Sequence, residues 1–162
     1  MYKRQIVGSI IENGRADRFI VRLCELIKHL AVDKLHIVGD LFDRGPRPDI
    51  ILDLLMRHHN VDIQWGNHDV LWMGAAAGSP VCVAIAVKNC IQYDNMDMLE
   101  NAYGINLLPL AVFSDVTYRD AAVFRPRVLP AGHSLPRDSE LFSRMHKAMC
   151  VIMFKLEGQI IA

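Results

Sequence analysis

Lys34-Leu35-His36-Ile37-Val38-Gly39, running straight into Asp40-Leu41-Phe42-Asp43-Arg44-Gly45-Pro46, is the stretch on which the fold turns. Its first half is a short, mostly apolar run broken at Gly39, the pattern of a buried strand, and its second half is a polar loop at that strand's carboxyl end. The pattern recurs: Val61-Asp62-Ile63-Gln64-Trp65-Gly66 predicts a second strand, which delivers Asn67, His68 and Asp69. Between the two, Asp49 to His59 carries Ile50, Ile51, Leu54 and Leu55 at helical spacing, with Pro48 suited to a first turn. Ahead of them, Phe19, Ile20, Leu23, Leu26, Ile27 and Leu30 mark one face of a helix from Ala16 to Leu30. Helix, strand, helix, strand with polar loops implies parallel pairing through right-handed crossovers. Ligands of such sheets bind beyond the strands' carboxyl ends, where both loops are expected to meet.

Beyond Leu71 the pattern turns helical. Trp72 to Ala77 continues out of the second loop, Val81 to Tyr93 follows, and Met96 to Tyr103 forms a further short segment. Val123 to Arg137, marked by Pro126, Pro130 and Pro136, reads as an irregular connection. Ser139 to Leu156 predicts a last helix with a broad apolar face that includes Leu141, Phe142, Met145, Met149 and Ile152. The expected class is α/β: a partial sheet of parallel strands with flanking helices over residues 1–79, then a mainly helical extension of the same domain over residues 80–162. The first helix lacks a preceding strand and the chain stops on apolar Gln159-Ile160-Ile161-Ala162, so both edges read as cut from something longer.

Composition narrows the partners. With 162 residues, 52% hydrophobic, the chain has enough apolar surface for a core. Eighteen basic residues balance eighteen acidic ones, so no net field draws in nucleic acid or an anionic membrane, and an anion must be held by locally placed groups. The uncharged apolar stretch from Pro80 to Val87 is far short of the roughly 20 residues that span a bilayer. Cys24, Cys82, Cys90 and Cys150 form no C-x-x-C pair, which fits a reducing, cytoplasmic setting.

The chemistry resides in the two loops. Two carboxylates, an arginine, an amide and a histidine at adjacent strand ends suit a two-metal phosphoryl hydrolase, in which ions about 3.5–4 Å apart activate water and neutralise phosphate. Asp40 is the expected bridging carboxylate and Asn67, a neutral hard oxygen donor, the expected ligand of one ion. His68 is placed to donate a proton to a leaving oxygen, with Asp43 orienting it. Arg44 offers a planar fork for phosphate oxygens that a lysine would not reproduce. Gly39, Gly45 and Gly66 are expected to let the backbone turn sharply and approach a ligand.

Other histidines read as structural: His36 as a packed or edge residue, His58 and His59 as helix-end caps, His146 as part of the last helix. His133, after Gly132 in the proline-marked connection, is the remaining one with a ligand-like setting. Gly74-Ala75-Ala76-Ala77-Gly78 lacks the Lys-Ser/Thr end of a phosphate loop and reads as close helix packing.

Gly39 to Pro46 and Gly66 to Asp69 resemble the G-D-x-x-D-R-G and G-N-H-[ED] loops of the calcineurin-like metallophosphatases. The text around them, Val61 to Trp65, Leu71 to Gly78, Tyr103-Gly104-Ile105-Asn106-Leu107-Leu108-Pro109-Leu110 and Met145 through Gln159, resembles class III fructose-1,6-bisphosphatase over nearly the whole chain. The resemblance implies a partial metallophosphatase-type sheet, Mn2+ as cofactor, and hydrolysis of a sugar bisphosphate, fructose 1,6-bisphosphate, in gluconeogenesis. It implies the same roles for Asp40, Asn67, Asp43, His68 and Arg44. It also implies an upstream Asp-x-His loop and downstream histidines that are not recognisable here, and members several times longer, so the chain alone is expected to be inactive. A sheet without the strand before Ala16 would leave an apolar edge, and with it the face of the last helix, open to self-association as a homo-oligomer. A protein phosphatase or dinucleoside tetraphosphatase would share both loops but not the helical segment ending in Phe154-Lys155-Leu156-Glu157. A non-catalytic truncated module would keep the fold with weak metal or phosphate binding.

Overall fold

The computed structural model describes residues 2–127 and 139–161. Seven α-helices and two short strands are found among them: α1 (Tyr2–Glu12), α2 (Ala16–Ala31), β1 (Leu35–Ile37), α3 (Pro48–Met56), β2 (Val61–Ile63), α4 (Asn67–Ala76), α5 (Pro80–Gln92), α6 (Leu108–Thr117) and α7 (Ser139–Ile161). A π-helical turn covers Met98–Ala102 and a 3-10 turn Ala122–Phe124. The α/β class holds, with the two strands paired in parallel and in register, Leu35 with Val61 and Ile37 with Ile63. No described helix is long and apolar enough to cross a membrane.

The chain divides into two compact units that alternate along the sequence. One comprises Met1–Ile37 and Leu54–Ile63, the other Val38–Asp53 and Gln64–Ala162. In the first, β1 pairs with β2 and α1 packs on α2. The amphipathic face of α2 forms as its spacing predicts but is not buried: Ile20, Leu26, Ile27 and Leu30 are all more than half exposed. Helical periodicity marks a face that favours cover, and α1 does not extend over it.

The second unit holds the core. α5 packs against α4 and α7, and α7 also takes α6 and the 3-10 turn. Ile91 and Leu99 are essentially inaccessible, joined by Val87, Met98, Met145 and Met149. Each such side chain contributes about 1.5–3 kcal/mol relative to an exposed one. Ser79 caps α5 and Pro80 opens it, a pairing favoured because proline has no N–H to leave unbonded. Where α4 crosses α5, a Cβ on Gly74 would come 2.6 Å from Cys82 Sγ, so this glycine serves close helix packing.

The last helix runs past Leu156 to Ile161, and its apolar face is packed against the core instead of left open for self-association. Two helices, α1 and α6, had no counterpart in the sequence reading. α4 begins at Asn67, so Asn67 and His68 occupy a helical first turn where a loop was expected.

Candidate active site

Both motif loops lie in the second unit, and they touch backbone to backbone. Gly39 has φ +95°, and a Cβ there would stand 2.4 Å from the Gly66 nitrogen and 2.8 Å from the Gln64 carbonyl oxygen. A Cβ on Gly66 would stand 2.1 Å from Asp40 Oδ1. Only glycine fits at either position, because the left-handed backbone at one and the contact at both exclude a side chain. Gly45 is different: a Cβ added there meets nothing within 4 Å, so the expected need for glycine does not extend to it.

Asp69 ties the loops together. It is the third residue of α4, and its carboxylate is buried to 1% exposure. Oδ2 accepts the backbone N–H groups of Asp40 at 2.6 Å and Gly66 at 3.0 Å, while Oδ1 accepts that of Phe42 at 3.1 Å. The Gly66 bond is the return half of a capping box, in which the third helical residue bonds the N-cap amide. An ionised carboxylate also suits the positive end of a helix. The sequence reading brought Asp69 to the strand end but gave it no task. Its signal was there in the N-cap-x-x-Asp spacing from Gly66.

Asp40 is held at φ +55°, an uncommon left-handed conformation for a residue with a Cβ. Its Oδ1 accepts the His68 backbone N–H at 3.2 Å, which lays the Asn67–His68 peptide against its carboxylate. Asn67 opens α4 and is exposed. His68 Nε2 lies 3.1 Å from Asp43 Oδ1, and Arg44 Nε lies 3.3 Å from that same oxygen. Asp43 Oδ1 is shielded from solvent yet has no aligned hydrogen-bond donor, so the Arg44 contact is an ion pair by distance and the His68 contact a close approach that is charged only when the imidazole is protonated, both without the directionality of a hydrogen bond. The structure therefore brings Asp43, Arg44 and His68 around one oxygen, and Asp40 to the start of α4.

Neighbouring aromatics brace the first loop. Phe42 stacks on Trp72 at 4.8 Å between ring centroids, and Trp72 leans on Tyr103 at 5.6 Å. Arg44 places its guanidinium 4.6 Å from the Tyr93 ring centroid.

Among the described residues no group of three or more His, Cys, Asp or Glu side chains is arranged to hold a metal ion. By residue type the loops supply a partial donor set of hard oxygens, the carboxylate of Asp40 and the amide of Asn67, and the Asp40 carboxylate lies in the space that a side chain on Gly66 would fill. That set fits a hard divalent cation that draws its remaining ligands from elsewhere. His133 lies outside the described residues. Of the remaining histidines, His36 is exposed with Nδ1 2.9 Å from Asp62 Oδ2. The imidazole of His36 and the ammonium of Lys34 hold the Asp62 carboxyl below its ordinary range. His58 and His59 follow α3 and stack on each other beside His29. His146 is buried and its Nδ1 lies 2.9 Å from the Phe124 carbonyl oxygen.

A family model described as Firmicute fructose-1,6-bisphosphatase matches residues 1–162. Among curated relatives, fructose-1,6-bisphosphatase class 3 of Alkaliphilus metalliredigens is 51% identical over 162 residues, covering 99% of this chain and 24% of the relative. A class 3 enzyme of Clostridium beijerinckii is 53% identical with the same two coverages. That of Parabacteroides distasonis is 49% identical over 163 residues, again 99% of this chain and 24% of the relative. The chain thus spans about a quarter of the length of these relatives. No solved structure matches. With a family match along its whole length and about half of its residues shared with class 3 relatives, the chain belongs to the Firmicute fructose-1,6-bisphosphatase family.

Proposed function

We propose that this chain supplies part of the catalytic centre of a metal-dependent phosphomonoester hydrolase that converts fructose 1,6-bisphosphate to fructose 6-phosphate and phosphate, a gluconeogenic step carried out in the cytoplasm. The observation that carries the reading is the convergence of His68, Arg44 and Asp43 on one shielded oxygen beside Asp40. Arg44 binds and orients the phosphoryl group through its planar fork. Water adds to phosphorus as the bond to the sugar oxygen breaks, and His68 delivers a proton to that departing oxygen. Asp43 holds the imidazole in place and stabilises its protonated form. Asp40 and Asn67 would hold manganese, which would supply charge neutralisation and a more acidic water. Asp69 keeps the two loops in register so that these groups stay aligned.

In a full-length protein carrying this segment, Asp40→Asn should remove most manganese affinity and activity together. His68→Asn should spare metal binding and slow turnover by about 10²–10⁴-fold, the usual contribution of a positioned general acid. Equal loss of metal in both variants would refute the division of roles. The 162-residue chain alone should bind manganese weakly, self-associate through the uncovered apolar face of α2 and not through α7, and release phosphate from fructose 1,6-bisphosphate at no enzyme-like rate. Robust release abolished by Asp40→Asn would show that the chain holds further ligands, with His133 the first to test.

A further inference from the structure

The turn that ends α5 carries a second cationic arrangement next to the loop pair. Tyr93 caps α5, and two guanidinium groups approach its ring: Arg44 at 4.6 Å and Arg127 at 5.9 Å from the centroid. Arg127 Nη1 also donates to Tyr93 Oη at 3.4 Å, and its backbone N–H donates to the Gln92 carbonyl at 2.7 Å. Two residues past Tyr93, Asn95 Nδ2 donates to the Gly45 carbonyl at 3.0 Å. Residues 92–95 therefore grip Arg44 and Gly45 from one side and fix Arg127 from another.

Bringing two guanidinium groups to one phenol ring costs repulsion that an anion would relieve. Asp43 is the carboxylate within ion-pair distance of Arg44, and it is shared with His68. Arg127 makes its contacts here with the Tyr93 ring and hydroxyl and with the Gln92 carbonyl, none of them anionic. Both arginines are exposed, so each keeps N–H donors for a ligand. Their two guanidinium carbons lie no further apart than the two ring distances combined. A single small molecule with two phosphoryl groups can reach both.

We propose that Arg127 is a second anion-binding arm beside Arg44, that the pair grips the two phosphoryl groups of one doubly phosphorylated substrate, and that Tyr93 is the positioning residue that sets their spacing. The inference rests on the reading of Arg44 as a phosphate ligand, and it adds the residues that would separate bisphosphates from monophosphates.

The test uses the 162-residue chain at physiological ionic strength without added metal. Binding of fructose 1,6-bisphosphate, fructose 6-phosphate and inorganic phosphate is followed by the arginine Nε–Hε signals in NMR titrations. Arg127→Gln should weaken the bisphosphate about tenfold, the lower range for a charge-assisted bond, and change inorganic phosphate less than about twofold. Tyr93→Phe, which keeps the ring and deletes the hydroxyl, should reduce the bisphosphate preference in part. Tyr93→Leu should weaken all three ligands, because Arg44 then loses its support. If Arg44→Gln weakens phosphate binding while Arg127→Gln leaves the bisphosphate constant within twofold, the second arm is refuted and the phosphatase reading stands. If Arg127→Gln weakens every ligand equally, both arginines share one phosphoryl group and the two-arm proposal fails. Absence of any Arg44-dependent phosphate binding refutes the arm and the reading of Arg44 together.

Discussion

Replacing Asp69 by asparagine should loosen both loops at once. The buried carboxylate accepts three backbone amides, from Asp40, Phe42 and Gly66, and hydrogen bonds to a charged acceptor contribute about 1.5–3 kcal/mol each. Asparagine keeps one oxygen. Placed where Oδ2 stands, it can still accept from Asp40 and Gly66, but its NH2 then faces the Phe42 N–H, donor against donor. The loss is therefore one charge-assisted bond, a weakening of two more and a stranded donor, on the order of 2–4 kcal/mol against a typical net stability of 5–15 kcal/mol. Alanine removes all three acceptors and should cost more. Urea denaturation gives the global figure, and amide hydrogen exchange at Asp40, Phe42 and Gly66 gives the local one. Trp72, stacked on Phe42, should report the same loosening by fluorescence. A loss below about 1 kcal/mol, with the three amides as protected as in the unmodified chain, would refute the claim that Asp69 couples the loops.

Gly66→Ala should lower thermal stability by about 1–3 kcal/mol through overpacking against Asp40 and weaken manganese binding, while Gly45→Ala should stay within about 0.5 kcal/mol. Calorimetry and a manganese titration on the two variants side by side check this. Burial, with help from the positive charges of Lys88 and Arg127, holds His146 below its ordinary value of 6.5 despite its bond to the Phe124 carbonyl. The folded state then binds fewer protons than the unfolded one, so this contribution is fully present above pH 6.5 and is lost as pH falls through the depressed value. His146→Gln should flatten that part of a denaturation series run from pH 7.5 to pH 5. Burial pushes the Cys90 thiol up to about 12, whereas Cys24 is exposed, so iodoacetamide at pH 8 should modify Cys24 first and leave Cys90 intact until the chain unfolds. Mass-spectrometric mapping over time reads the order.

Local pattern was enough for the parts of the fold that local pattern decides. The alternation of apolar runs and polar loops located β1, β2 and the helix between them, and the three- and four-residue spacings located α2, α5 and most of α7. α6 was less legible because Leu108-Pro109-Leu110-Ala111-Val112-Phe113 is apolar all round and gives no helical stripe. α1 was missed for the opposite reason: all its residues are at least partly exposed, so no core face organises its sequence. The start of α4 was placed late because glycine and asparagine are read as loop formers, while Asp69, reaching back to the Gly66 amide, makes this stretch helical. In the site, residue types named Asp40, Asp43, Arg44, Asn67 and His68. The partners Tyr93, Asn95 and Arg127 were invisible, since they come from distant segments whose approach depends on the packing of α5.

The left-handed backbone at Asp40 decides which substitutions can report on its charge. Asparagine and aspartate enter that region with several times the ease of other residues bearing a Cβ, because their short polar side chains bond locally. Asp40→Asn therefore removes a charge while leaving the loop its geometry. Asp40→Ala or Asp40→Glu would add a backbone penalty on the order of 1–2 kcal/mol, displacing the Asp69-bonded amide and the contact with Gly66 together. An alanine scan would make this residue look structural, and a glutamate meant as the conservative exchange would look like a lost ligand. The informative series at this position is aspartate, asparagine and glycine: the first step reads electrostatics, and the second reads what remains of the side chain on a backbone that accepts all three.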